Sequence, residues 1–263
     1  MSVLAWFELS PWFVAPLVAV AAGCVALAPL GEQVLGRGVV FIDLAVAQGA
    51  AAAALWVAAW VDHPGFATVQ AATLAGALAC AGAVAFLARC APAAREALIG
   101  LVYVVGASVA ILGARADPHG TERLSGLLAA DVLWAGWPQA LLLATIAAAT
   151  LALRLSPRRA LLAKDAVFYP CFAVVASVAV PVLGLFVVFA GLIAPALWMQ
   201  AGARAAAAVG GAIAAAAAGI AVSWWLDWPS GACVALSLAA AGIASLIRRR
   251  RTAAGMRGGG AVL

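Results

Sequence analysis

The stretch AVFYPCFAVVASVAVPVLGLFVVFAGLIAPALWM (166–199) decides the architecture of this chain. It is apolar from end to end, so it belongs in lipid or in the middle of a helical bundle. A straight membrane helix needs about 20 residues, and this run is far longer. Pro181 and Gly184 lie near its middle, where a helix is most easily broken. Two short helices separated near Pro181–Gly184 are therefore expected. A single broken, re-entrant element is the alternative.

The rest of the chain follows the same pattern. Of its 263 residues, 67% are hydrophobic and only 10% are charged, with a mean hydropathy of +1.13. A soluble domain carries roughly 25% charged residues, so this chain could not cover a water-facing surface. Polar punctuation separates further spans at about 11–30, 38–60, 67–88, 96–113, 132–153, 205–226 and 230–247. The predicted fold class is all-α, a polytopic transmembrane helix bundle of eight or nine spans over 1–247. A basic, flexible cytoplasmic tail is expected over 248–263. The segment MSVLAWFELSPWF at the start lacks the basic region and small-residue cleavage site of a signal peptide, so no removal is expected.

Charge decides between the two counts. With nine spans and the N-terminus outside, Arg37, Arg89, Arg95, Arg154, Arg158, Arg159, Lys164, Arg204, Arg248–Arg251 and Arg257 all fall on the cytoplasmic side. Only Arg115 and Arg123 remain outside. If 166–199 crossed once, the Arg248–Arg251 run would lie opposite Arg154–Lys164. The net charge of +5 is thus a mark of orientation, and it does not point to nucleic acid. Trp60, Trp134, Trp137, Trp224, Trp225 and Trp228 gather at the outer ends, as indole rings do at the headgroup layer. The Ala/Gly-rich helix 205–226 is expected to lie buried within the bundle.

Several chemistries are excluded. Neither His63 nor His119 lies within a span, so an intramembrane Ser–His hydrolase or an HExxH protease has no residues to use. No GxxxxGK[ST] sequence is present, so any ATP hydrolysis must come from another chain. The five cysteines stand singly, with no CxxC, and read as small packing residues. Asp43 stands out as an acid placed about one and a half turns into a span, with Gln48 nearby. An intramembrane aspartate costs about 2.5–3.5 kcal/mol on insertion scales, so it faces protein or water. It is either a helix-end acid balanced by Arg37 or the lining of a cation path. The loop ARADPHGTERL brings Asp117, His119 and Glu122 close in sequence, as a solvated loop or a transient metal contact. Asp131 and Asp227 sit at outer helix ends, as caps or as docking residues for a binding protein.

Five segments together resemble the membrane subunit of bacterial zinc/manganese ABC importers. They are PLGEQVLGRGVVFIDLAVAQ (29–48), EALIGLVYVVGASVAILG (96–113), LLAADVLW (127–134), VLGLFVVFAGLIAPALWMQAGAR (182–204) and SWWLDWPSGACVALSLAAAGIASLI (223–247). They occur in the family's order over most of the chain. The resemblance implies an importer permease fold working as a homodimer in the bacterial inner membrane. Each pair of permeases would join two cytoplasmic ATPases and receive zinc or manganese from a periplasmic or lipid-anchored binding protein. It implies no catalysis and no tightly bound cofactor in this chain. It places Asp43 and Gln48 on the translocation path, with Asp43 as the metal ligand. A short helix that the ATPase grips would lie at Ala194, Pro195, Ala196 and on to Arg204, with the apolar run broken at Pro195. One departure affects the metal. The family's Asp and His, four residues apart, correspond to Asp43 and Ala47, so the imidazole is missing. Gln48 points about 140° away from Asp43 on a regular helix. An Asp/Gln path suits a harder ion than zinc. Permeases for iron chelates or cobalamin, and a proton-coupled secondary carrier, are the alternatives.

Overall fold

The computed structural model describes residues 11–128 and 130–258, without the side chains of 11, 12, 158, 159 and 246–258. The end of the expected tail, 259–263, lies outside the described residues. Those described form an all-helical bundle with no strand. Its helices are α1 (Pro11–Arg37), α2 (Ile42–Trp60), α3 (Phe66–Cys90), α4 (Arg95–Ala116) and α5 (Gly120–Leu128). They continue as α6 (Trp137–Leu155), α7 (Asp165–Leu183), α8 (Leu185–Gln200), α9 (Ala205–Leu226) and α10 (Ser230–Gly258). Among the described residues, seven helices are long and apolar enough to cross a membrane, and α8 and the Ser230–Ser245 part of α10 are shorter apolar helices. The basic run at 248–251 continues α10 as helix.

The stretch 166–199 breaks at Gly184, as its sequence predicts. Gly184 ends α7 and begins α8 at φ 80° and ψ 155°, a conformation open essentially to glycine alone. The chain then returns to the side from which it came. Asp165, at the start of α7, pairs with Arg37 at the end of α1. Met199, near the end of α8, meets Arg154, whose guanidinium pairs with Glu32 of the same α1 end. Gly184 itself packs at the opposite end, against the backbone of Leu128 and Ala130. The two halves of the stretch thus run as an antiparallel pair, which is the arrangement that the one-sided arginines call for.

Small residues set the spacing of the inner helices. A Cβ on Gly49 would stand 2.9 Å from the Gly76 carbonyl oxygen, so α2 and α3 touch backbone to backbone. With no hydrophobic drive between helices in lipid, such close packing is what holds them together. α2 becomes the central helix, packed by α3 and α4 and touched by α5, α7 and α8. Residues Ile42, Asp43, Ala45, Val46, Ala47 and Gln48 are all buried.

α9 departs from the expected burial. Ala208, Ala212, Ala216, Gly219, Ile220 and Ser223 face the bundle, but Ala207, Gly210, Gly211, Ala214 and Ala218 are exposed. The close approach is needed on one side only, where Gly219 meets the Val234 backbone of α10. Trp60, Trp134, Trp137, Trp224, Trp225 and Trp228 are all exposed.

Candidate functional site

α2 begins later than its hydropathy suggests. Residues 38–41 form a turn, so Asp43 lies in the first turn of the helix and not one and a half turns inside. A carboxylate there is favoured by the positive end of the helix dipole. Even so, Asp43 is only 1% exposed, and neither carboxylate oxygen has a hydrogen-bond partner.

Arg37 does not balance it. The Arg37 guanidinium donates to the carbonyls of Leu162 (3.1 Å) and Ala163 (2.8 Å) and to Gln33 Oε1 (3.2 Å). It also lies 3.4 Å from Asp165 Oδ1 and stacks 4.0 Å from the Phe168 ring centroid. Planar forks suit this kind of multiple contact, which a lysine cannot reproduce. Arg37 therefore ties the end of α1 to the 157–163 turn and to α7. We expect Arg37→Ala to destabilise the protein by about 2–3 kcal/mol through the lost charged hydrogen bonds, with Arg37→Lys recovering only part of it. A fall in the thermal midpoint of the purified protein checks this; an unchanged midpoint would show that the contacts carry no energy.

A second carboxylate, Glu96 of α4, reaches the start of the same helix. Sequence reasoning passed over Glu96 as a functional residue, since it drew attention only as the first letter of EALIG. Glu96 Oε1 accepts the Phe41 N–H at 3.1 Å, while Oε2 is buried without a partner. Beside it, Arg95 donates through Nη1 to the Arg37 carbonyl at 3.3 Å.

At the end of the bundle where α7 meets α8, the end that the sequence assigns to the outside, a cavity of about 490 Å³ is lined by Arg123, Asp131, Trp134, Gln139, Leu127 and residues of α2 and α7. Below it, a void of only about 10 Å³ lies between Ala47, Gln48 and Ala51 of α2 and Leu124, Leu127, Leu128, Val180 and Leu185. That void has room for about one water molecule. Leu127 lines both spaces, so α5 stands between the outer cavity and Gln48. Gln48 is 5% exposed and packs against Gly106 of α4.

The outer acids divide by role. Asp117 accepts the His119 N–H and pairs with Arg123 at 3.1 Å, fixing the start of α5. His119 and Glu122 are exposed. Among the described residues no group of three His, Cys, Asp or Glu side chains is placed to hold a metal ion. Asp131 Oδ1 accepts the Ser230 hydroxyl at 2.5 Å, joining the α5–α6 connection to the start of α10. Asp227 adopts the left-handed conformation that ends α9, with Trp228 N–H returning to the Ser223 carbonyl. Both Asp131 and Asp227 line a second outer cleft of about 800 Å³ with Trp134, Trp137, Trp224 and Trp228.

α8 does not break at Pro195. It runs unbroken to Gln200, and Ala194, Pro195 and Ala196 are buried within it. Gly31 of α1 and Gly242 of α10 close on this face, so the neighbouring helices hold the turn despite the missing N–H. The break comes afterwards: Gly202, at φ 85°, directs Ala203 N–H to the Trp198 carbonyl and its own N–H to that of Met199. This is a glycine-based helix stop. Gln200, Gly202 and Arg204 are exposed.

With this geometry in place, comparison with solved structures gives a match over nearly the whole chain. The fold is similar to that of PsaBC. PsaBC from Streptococcus pneumoniae, solved in complex with a Fab, aligns at a TM-score of 0.72 over 92% of this chain and 93% of that one. The sequence identity is 15%, so the likeness to PsaBC is one of fold. No family model and no curated protein sequence matches this chain.

Proposed function

We propose that this chain is the membrane-spanning permease subunit of an ABC importer that carries a divalent transition metal, manganese or zinc, into the cytoplasm. The observation that carries the proposal is Asp43, a buried carboxylate without a hydrogen-bond partner in the central helix of a bundle that has the fold of PsaBC. The five ordered segments support the same family. A buried acid costs stability unless something compensates it, and a passing cation does so. A second copy of the chain, a separate ATP-hydrolysing subunit and a metal-delivering binding protein complete the proposed assembly.

The chain's own residues suggest how passage would work. Metal entering from outside meets the cavity lined by Asp131 and Gln139, then the leucines of α5. In the arrangement described here those leucines close the way to Gln48 and Asp43. Opening requires α5 to move from the Gly184 junction on which its end is seated. At the cytoplasmic end, the exposed stop at Gln200–Arg204 is the surface offered to the ATPase. Arg154 links it through Met199 to Glu32 of α1. A push on this segment reaches α8 directly, and α8 joins α7 at the same Gly184.

The test is association. Co-expressed with its ATP-hydrolysing subunit, the chain should purify as a complex, and Arg204→Glu should weaken that complex without altering insertion. A chain that binds no such subunit would overturn the reading.

A further inference from the structure

Asp43 has no partner on its own helix, and α4 brings a second carboxylate to the start of that helix. Asp43 and Glu96 are contributed by adjacent, closely packed helices. Three of their four carboxylate oxygens, Asp43 Oδ1, Asp43 Oδ2 and Glu96 Oε2, are buried with no hydrogen-bond donor. The fourth, Glu96 Oε1, is held by the Phe41 N–H, two residues before Asp43. That bond fixes the Glu96 carboxylate to the start of α2.

Among the described residues neither carboxylate has an ion pair within 4.0 Å: Arg37 pairs with Asp165, Arg154 with Glu32 and Arg123 with Asp117. Arg95, next to Glu96, donates through Nη1 to the Arg37 carbonyl, and its Nε is buried without a partner. The nearby thiol of Cys80 is also committed, donating to the Ala45 carbonyl at 3.0 Å. What remains is a pair of acids whose combined charge matches one divalent cation and whose donors are all oxygen. Hard ions such as manganese accept carboxylate and water ligands, whereas zinc favours nitrogen and sulfur.

We propose that Glu96 is the second ligand of the cation station built on Asp43, making it an oxygen-only site selective for manganese-like ions over zinc. This rests on the transport reading above.

Direct binding of Mn²⁺ to the full-length protein in nanodiscs, followed by electron paramagnetic resonance, tests it apart from transport. Glu96→Gln keeps an oxygen acceptor for the Phe41 N–H and removes only the charge. It should weaken Mn²⁺ binding on the order of tenfold or more, as loss of a charged ligand does, and Asp43→Asn should do the same. Zn²⁺ should displace Mn²⁺ only in excess. A second measurement needs no variant: Mn²⁺ should protect both Asp43 and Glu96 of the unaltered protein from an apolar carbodiimide, read by peptide mass spectrometry. Unchanged binding in Glu96→Gln, Glu96 labelling that ignores Mn²⁺, or no Mn²⁺ binding by the unaltered protein would each overturn the proposal. If Glu96→Gln binds normally but Asp43→Asn does not, the transport reading stands and Glu96 is only an anchor for α2.

Discussion

Replacing Asp43 with asparagine is expected to leave the protein inserted and at least as heat-stable as the parent, while ATP-driven metal uptake falls to background. The two halves of this result have one cause. Asp43 is buried, both its oxygens are without hydrogen-bond partners, and among the described residues no cation pairs with it. A residue kept for stability would sit in the opposite setting, since removing one partner of a satisfied buried pair costs about 3–5 kcal/mol. Asparagine retains the size and removes the uncompensated charge, so the fold loses nothing and the cation loses its ligand. Thermal unfolding and uptake measured on the same preparation separate the effects. A variant that unfolds at lower temperature would show Asp43 to be structural, and one that transports normally would remove it from the path.

The second large effect belongs to Gly184. Alanine there must adopt φ 80° and ψ 155°, and its Cβ would stand 2.5 Å from the Ala130 backbone nitrogen. Backbone strain of this kind costs about 1–3 kcal/mol, and overpacking against an immobile neighbour costs about as much again. We expect Gly184→Ala to lower stability by about 2–5 kcal/mol on these two grounds. The damage falls on the junction of α7 and α8, where the end of α5 is seated. Yield of inserted protein and the thermal midpoint both report it. A variant as stable as the parent would mean that α7 and α8 can meet without this turn.

The break at Gly184 was legible in the sequence because proline, glycine and one-sided arginines all act locally or over the whole membrane. So was the exposure of the tryptophans, whereas the depth of Asp43 was overread, because the turn at 38–41 is as apolar as the helix that follows it. Other features depend on contacts that the chain order hides. Glu96 lies 53 residues beyond Asp43, and only the packing of α4 on α2 brings its carboxylate to the start of the Asp43 helix. The continuity of α8 through Pro195 could not be read from the proline, because the neighbouring α1 and α10 hold that turn together. Gly202, seven residues later, carried the true stop signal. α9 misled for a related reason: small residues permit close packing on any side, and the sequence does not say how many sides are used. Arg37 and Asp43 stand near each other in the chain, but the fold turns the guanidinium towards Asp165 and the carbonyls of 162 and 163.

These placements converge on one physical claim. In the proposed function, the buried charge of the central helix is compensated by a cation in transit, and α5 and the α8 stop control the two ends of its path. Accumulation of radioactive Mn²⁺ in proteoliposomes holding this chain, its ATP-hydrolysing partner and a metal-loaded binding protein tests that claim most directly. The account predicts ATP-dependent accumulation with the parent chain and none with Asp43→Asn. ATP hydrolysis without accumulation by the parent, or equal accumulation by both, would contradict it.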